Sequence, residues 1–398
     1  MKALALVLLF ACGATDVPVR DPQQQITEAA TAVAALQASK FEDAHREASA
    51  VLARDPRSSR AAGVRAIAAY QRSGSRIIGE IDKILEGADK LKAFDHQAGR
   101  AAWQRWLDEL AAIDRDLAVV AADPTFSLEI CLACWEHDWN RSGEIDERDR
   151  KLFELELDGK DGELAEGDPR RRPVFRFDTG DAEWARAMIA FQRAFGELVL
   201  AYRWSELDNL LAAGSPEGLT IRLGDKSRVQ RAREHVMAGL GFADRCRAAY
   251  LAETDDDREW VPNPKQKSYA MPLPVDAQLY TTWAEVTRDI RRLLASEEGI
   301  SMLELAGLID DDLVALAPNA FLDLGKMFRE PKDIVIRLDF QRPDRRSTEA
   351  TLRGVLGNGY AQRMRASPLV ARLRLMKGEL DRGEDTLSRK LRYLLWLN

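Results

Sequence analysis

Between residues 138 and 149 the chain sets oxygen-bearing side chains at alternate positions: Asp138, Asn140, Ser142, Glu144 and Asp146, followed by Asp149. Oxygen donors at this density suit a hard divalent cation, and calcium takes six to eight of them with tolerant geometry. Gly143 stands at the middle, where a sharp turn demands positive φ. Ile145 is an apolar residue among the polar ones. A solvated link with acidic caps would explain Asp138 and Gly143. It would not explain oxygens at every second position around Ile145.

The twelve residues Asp138–Asp149 resemble an EF-hand loop. The resemblance implies ligation by Asp138, Asn140, Ser142, the backbone carbonyl of Glu144, Asp146 (directly or through water) and Asp149. Ile145 holds the position that joins a short strand contact in paired EF-hands. Asp149 stands where glutamate is usual, an ending shared with dockerin-type loops. Its shorter side chain makes bidentate coordination harder and lets Mg²⁺ compete. Asn140 and Ser142 are neutral, so three carboxylates remain. Few charges imply weak affinity, roughly the 10⁻⁴–10⁻³ M of extracellular modules. A second loop is not legible. Asp158–Asp161 fails at the third position, Asp178–Asp181 leads to no acid at the twelfth, and Asp255–Asp257 lack the glycine. A single loop points to a structural ion rather than a switch.

The four cysteines are Cys12, Cys131, Cys134 and Cys246. Cys131 and Cys134 precede the loop by one turn. A c-type haem site fails because Trp135 stands where histidine is needed. Zinc would need two more ligands, and His137 is one candidate. A redox pair lacks the βαβ context. A local disulfide, or a pair of buried thiols, is the expectation, with Cys246 as a buried odd thiol. At the N-terminus Lys2 precedes an apolar run, Ala3 to Phe10, and then Ala11 and Cys12. This is the layout of an export signal. Leu9-Phe10-Ala11-Cys12 resembles the lipobox of bacterial lipoproteins. The resemblance implies cleavage before Cys12 and lipid attached to it, each buried CH₂ adding about 0.8 kcal/mol of membrane affinity. It places the protein in the bacterial cell envelope, facing the periplasm or the outside. Gly13, rather than aspartate, weakly favours the outer membrane.

No nucleophile–base arrangement has context. His45, His96, His137 and His235 stand apart, and there is no HExxH, GxSxG or Gly-rich phosphate loop. Two carboxylates far apart in sequence can still form a hydrolase site. A formal charge of -7 argues against a nucleic-acid partner. With 46% hydrophobic and 31% charged residues the 398-residue chain reads as globular, with two or three domains expected.

These groups must be held by helices. The fold class expected is mainly α, with at most a few short strands. Residues 1–11 read as signal and 12–25 as tether. Residues 26–125 read as a helical region whose Ala32, Ala35, Phe41, Ala44 and Pro56 resemble a tetratricopeptide repeat. Its helices are expected over Ile26–Ala38, Phe41–Arg54 and from Ser58 or Ser59 to Tyr70, stopping at Ser73-Gly74. Residues 126–157 read as helix–loop–helix, with a helix over Leu128–His137. A polar loop (158–180), a helical region (181–254), a linker (255–274) and a C-terminal helical domain (275–398) follow. Short strands are expected at Leu219–Leu223 and Asp333–Phe340, able to pair, and helix at Ser347–Gly357 and Leu369–Leu397. The function expected is a membrane-anchored, calcium-binding helical scaffold that meets protein partners. The alternative is an extracytoplasmic hydrolase whose site gathers perturbed acids or histidines in the C-terminal half.

Overall fold

Alanine-rich, amphipathic segments make the chain mainly helical, with 7% strand in the computed structural model. The structure describes residues 21–91, 95–139, 141–156, 162–205, 219–254, 258–266, 277–309, 320–336 and 360–380. The signal and Cys12, Asn140, and the helix expected at 347–357 lie outside the described residues.

Helix starts follow their caps. Asp21 accepts a hydrogen bond from Gln23 N, and proline opens α1 (Pro22–Glu28). The end of the expected tether is therefore helix, and Gln25 is buried. Its amide accepts from Ser59 and donates to Asp123. After Ala29 come α2 (Ala30–Gln37) and α3 (Phe41–Arg54), the latter with the bounds expected. The next helix, α4 (Ser59–Leu91), does not stop at Ser73-Gly74. A mid-helix glycine costs roughly 1 kcal/mol against alanine. Packing on α5 (His96–Ala121) offsets that cost, and Ser73 Oγ donates to Glu109 at 2.6 Å. The Arg65 guanidinium also forks onto Asp116 of α5, at 2.8 and 2.5 Å. At 33 residues α4 is far longer than a repeat helix.

Before the loop, the expected helix over 128–137 is absent. Leu128–Ile130 form β1, antiparallel to β2 (Phe175–Phe177), with Leu128 opposite Phe177. The reason is burial of period two. Leu128 and Ile130 are buried while Glu129 is exposed, and Phe175 and Phe177 supply the facing pair. A single 3₁₀ turn, Leu132–Cys134, follows. After the loop α6 spans only Glu147–Lys151.

Helix α7 (Thr179–Ala201) packs along α8 (Lys226–Ala252) and against α5. Glu197 of α7 receives Arg228 and Arg231 of α8 at 2.9 and 3.1 Å. The expected strand pairing is present: β3 (Leu219–Ile221) runs antiparallel to β6 (Ile334–Ile336). Helix α9 (Ala277–Leu294) leads into β4 (Ile300–Ser301), α10 (Met302–Ile309), β5 (Phe321–Leu322) and α11 (Leu324–Arg329). Strand β5 pairs with β4 and with β7 (Ala361–Gln362), and α12 (Leu369–Leu380) follows.

One large core joins α2–α4, β1 and β2 to Trp135, Tyr250, Trp260 and Tyr280. Trp260, expected within a linker, is fully buried against Phe177 and Trp184. Among the described residues no helix is long and apolar enough to cross a membrane.

Candidate functional site

The loop is shaped by two left-handed residues, Arg141 at φ 59 and Gly143 at φ 93. Asp138 holds the turn: Oδ1 accepts from Ser142 N at 2.9 Å and Oδ2 from Gly143 N at 2.8 Å. Ser142 Oγ donates to the Glu144 carbonyl at 2.9 Å, so these two oxygens lie side by side. Asp146 caps α6 by accepting from Arg148 N and Asp149 N. Asp149 returns the bond, its Oδ2 accepting from Asp146 N at 3.1 Å. Its Oδ1 accepts from Trp139 N at 2.9 Å. The last position of the loop is thus fastened to the second, and the Asp149 side chain is buried. Ile145 is partly exposed at 38%.

The donor set is all oxygen, which suits a hard cation. Each carboxylate oxygen that accepts one N–H keeps a second lone pair. Among the described residues, however, no three His, Cys, Asp or Glu side chains converge at ion-holding distance. Asp146 and Asp149 are engaged in a reciprocal capping box, so an ion there must compete with the start of α6. That second role is written in the sequence as Asp146-x-x-Asp149.

Aromatic rings seat the loop on the core. Trp135 meets Phe41 edge-on at 5.3 Å and Phe153 at 5.8 Å. Trp139 meets His137 at 4.6 Å and Phe153 at 5.2 Å. Burial lowers the His137 pKa, opposed by the charges of Asp138 and Asp149. Cys131 and Cys134 are joined as a disulfide with Cα atoms 5.2 Å apart, which removes the thiolates a zinc ion would need. Cys246 is a buried free thiol.

A second constellation was not singled out from the sequence. Asp178 caps α7, its Oδ1 accepting from Gly180 N at 2.6 Å, and Asp181 Oδ2 accepts from Asp178 N at 2.9 Å. Tyr250 of α8 donates its hydroxyl to Asp181 Oδ1 at 2.7 Å. Gly180 makes room for that ring, since a Cβ there would stand 2.8 Å from Tyr250 Cδ1. The Glu253 carboxyl is half-buried close enough to feel the Asp178 charge, and Glu259 pairs with Arg176 at 3.1 Å. Asn263 Nδ2 donates to the carbonyls of Tyr250 and Glu253.

Burial pushes the Asp181 carboxyl well above the usual range, and the Asp178 charge adds to it. Burial raises Glu253 too, helped by Asp178, Glu259 and Asp181. The Tyr250 phenol and the Cys246 thiol are pushed up by burial and by Asp181. The available signal was Asp178-Thr-Gly-Asp181, a second capping box. Its partners Tyr250, Glu253 and Glu259 lie about seventy residues on and are joined to it only by folding.

No family model matches the chain, and no curated protein or solved structure is detectably similar to it.

Proposed function

We propose that the protein is a non-enzymatic, membrane-tethered helical scaffold in which Asp138–Asp149 takes one calcium ion as a structural brace. The observation that carries this reading is the Asp149 carboxylate on Trp139 N, which brings the two ends of the loop together. Asp138, Ser142 and the Glu144 carbonyl then contribute oxygens, and Asn140 and Asp146 complete the set. Mg²⁺ competes, because the competing caps and the short Asp149 side chain favour small coordination numbers. A Cys131–Cys134 bridge suits an oxidising compartment, which supports a site in the cell envelope with Cys12 as the lipid anchor. Protein partners would meet the helical surface around α2 and α3, the segment that resembles a tetratricopeptide repeat.

Calcium titration followed by Trp135 and Trp139 fluorescence tests the brace. Wild type is expected to respond at roughly 10⁻⁴–10⁻³ M, and Asp138→Ala with Asp149→Ala to stay flat. Identical flat traces, with no calcium-dependent melting shift, would sink the reading. For the anchor, wild type is expected in the membrane fraction and Cys12→Ser in the soluble fraction. Unchanged partitioning of Cys12→Ser contradicts it.

A hydrolase is the second reading, favoured by the Asp181 and Glu253 carboxyls, which lie in one cluster and are both raised by burial. Carboxyls whose surroundings keep them protonated toward neutral pH serve as general acids in hydrolytic sites. Turnover of nitrophenyl esters or glycosides that Glu253→Gln abolishes would select it, and no turnover by wild type would reject it.

A further inference from the structure

A cleft of about 480 Å³ lies between the start of α3, the middle of α4 and the loop. Its walls carry Lys40, Arg72, Arg76, His137 and Arg141 against two acids, Glu42 and Asp43. Both acids are already engaged: Glu42 pairs with Arg72 at 2.6 Å and Asp43 with Arg46 at 2.7 Å. Arg76 is held by Glu109 of α5. Among the described residues, Lys40 and Arg141 meet no carboxylate. Helix α3 also begins at this cleft, after Lys40, without a side-chain cap. Arg141 is aimed by its left-handed backbone onto α4 at Gly79. The Arg141 guanidinium lies against Gly79, where the missing side chain leaves it room. The result is an excess of cations gathered in one concave site.

We propose that this cleft binds a small multivalent anion bearing phosphate or carboxylate groups. Lys40 and Arg141 contact it directly, while Arg72 and Arg76, already oriented by their partners, supply field and further donors. Guanidinium groups fit both oxyanions bidentately. The cleft holds a molecule of a few phosphate or carboxylate units, not a polymer. The proposal stands on the cation geometry and does not require calcium in the neighbouring loop.

Calorimetric titration of the full chain with sodium pyrophosphate and, separately, with citrate, in metal-free buffer, tests it. Wild type is expected to bind at least one of them with low ionic strength strengthening the affinity. Lys40→Ala with Arg141→Ala should weaken it at least tenfold, and Lys40→Arg with Arg141→Lys should restore most of it. Arg148→Ala, an exposed cation outside the cleft, should change affinity less than twofold. Both side chains are solvent-exposed, and an unchanged circular dichroism melt confirms that the double variant folds. The arm that binds tells phosphate from carboxylate. No binding of either probe by wild type, or equal loss in Arg148→Ala and the double variant, overturns the proposal.

Discussion

Asp181→Asn is expected to raise the melting temperature at pH 8 and to flatten its dependence on pH. The Asp181 carboxyl is buried beside Asp178, Glu253, Glu259, Cys246 and the Tyr250 hydroxyl, and burial favours its protonated form. The unfolded chain gives up that proton near pH 4. From there upward the folded state binds more protons than the unfolded state. The stabilisation is complete below about pH 4 and is lost as pH rises toward the higher folded value. Each such group costs about 1.4 kcal/mol per pH unit across its window. Asparagine keeps the acceptor for Asp178 N and turns an N–H to Tyr250, with no charge to bury. A gain of several degrees follows, since 1 kcal/mol shifts a domain's Tm by about 2–4 °C. Glu253→Gln should act in the same direction but less, being nearer solvent. The opposite sign belongs to Asp123, whose carboxyl is held below its usual range by Ser59, Thr125 and Gln25 hydrogen bonds against the effect of burial. Its contribution is lost in acid, so the two groups slope stability in opposite directions on the two sides of about pH 4. Scanning calorimetry from pH 4 to 9 is the check. A lowered Tm for Asp181→Asn at pH 8 with the wild-type slope retained contradicts the buried-proton account.

Trp135→Ala is expected to cost about 3–5 kcal/mol. The indole is 2% exposed and lies between Phe41 of α3 and Phe153, under the ring of Trp139. It therefore joins the N-terminal helices to the floor of the loop. Truncation leaves a cavity bounded by rigid aromatic rings that cannot collapse inward. Trp135→Phe should recover roughly half the loss, because the edge-on packing survives in part. Denaturant midpoints measure both. A cost below 1 kcal/mol for Trp135→Ala would mean that the loop and the helices are not mechanically joined there.

Helices that carry their own boundaries were legible in the sequence. Asp55-Pro56 ends α3 where the residue before proline disfavours helix, and α3 has the expected bounds. The β3–β6 pairing was legible because both segments are rich in β-branched residues. Close spacing made the Cys131–Cys134 bridge legible. What escaped reading depends on distant partners. Leu128–Ile130 is strand because Phe175–Phe177 completes its ladder, and three residues are too few to show a period. Helix α4 passes Ser73-Gly74 because Glu109 and the rest of α5 support it from outside. In the loop, Asp146 and Asp149 fit two descriptions, metal ligand and helix cap, and a linear pattern does not separate them. The Asp181 cluster was invisible for the same reason as β1: its members meet only across α7 and α8.

Calcium stoichiometry measured by isothermal titration calorimetry addresses the proposed brace most directly. One ion per chain for wild type, none for Asp138→Ala with Asp149→Ala, and a weaker Mg²⁺ isotherm competing for the same site are the results expected. Zero stoichiometry in wild type at millimolar calcium, or an unchanged isotherm in the double variant, would contradict a calcium ion in the Asp138–Asp149 loop.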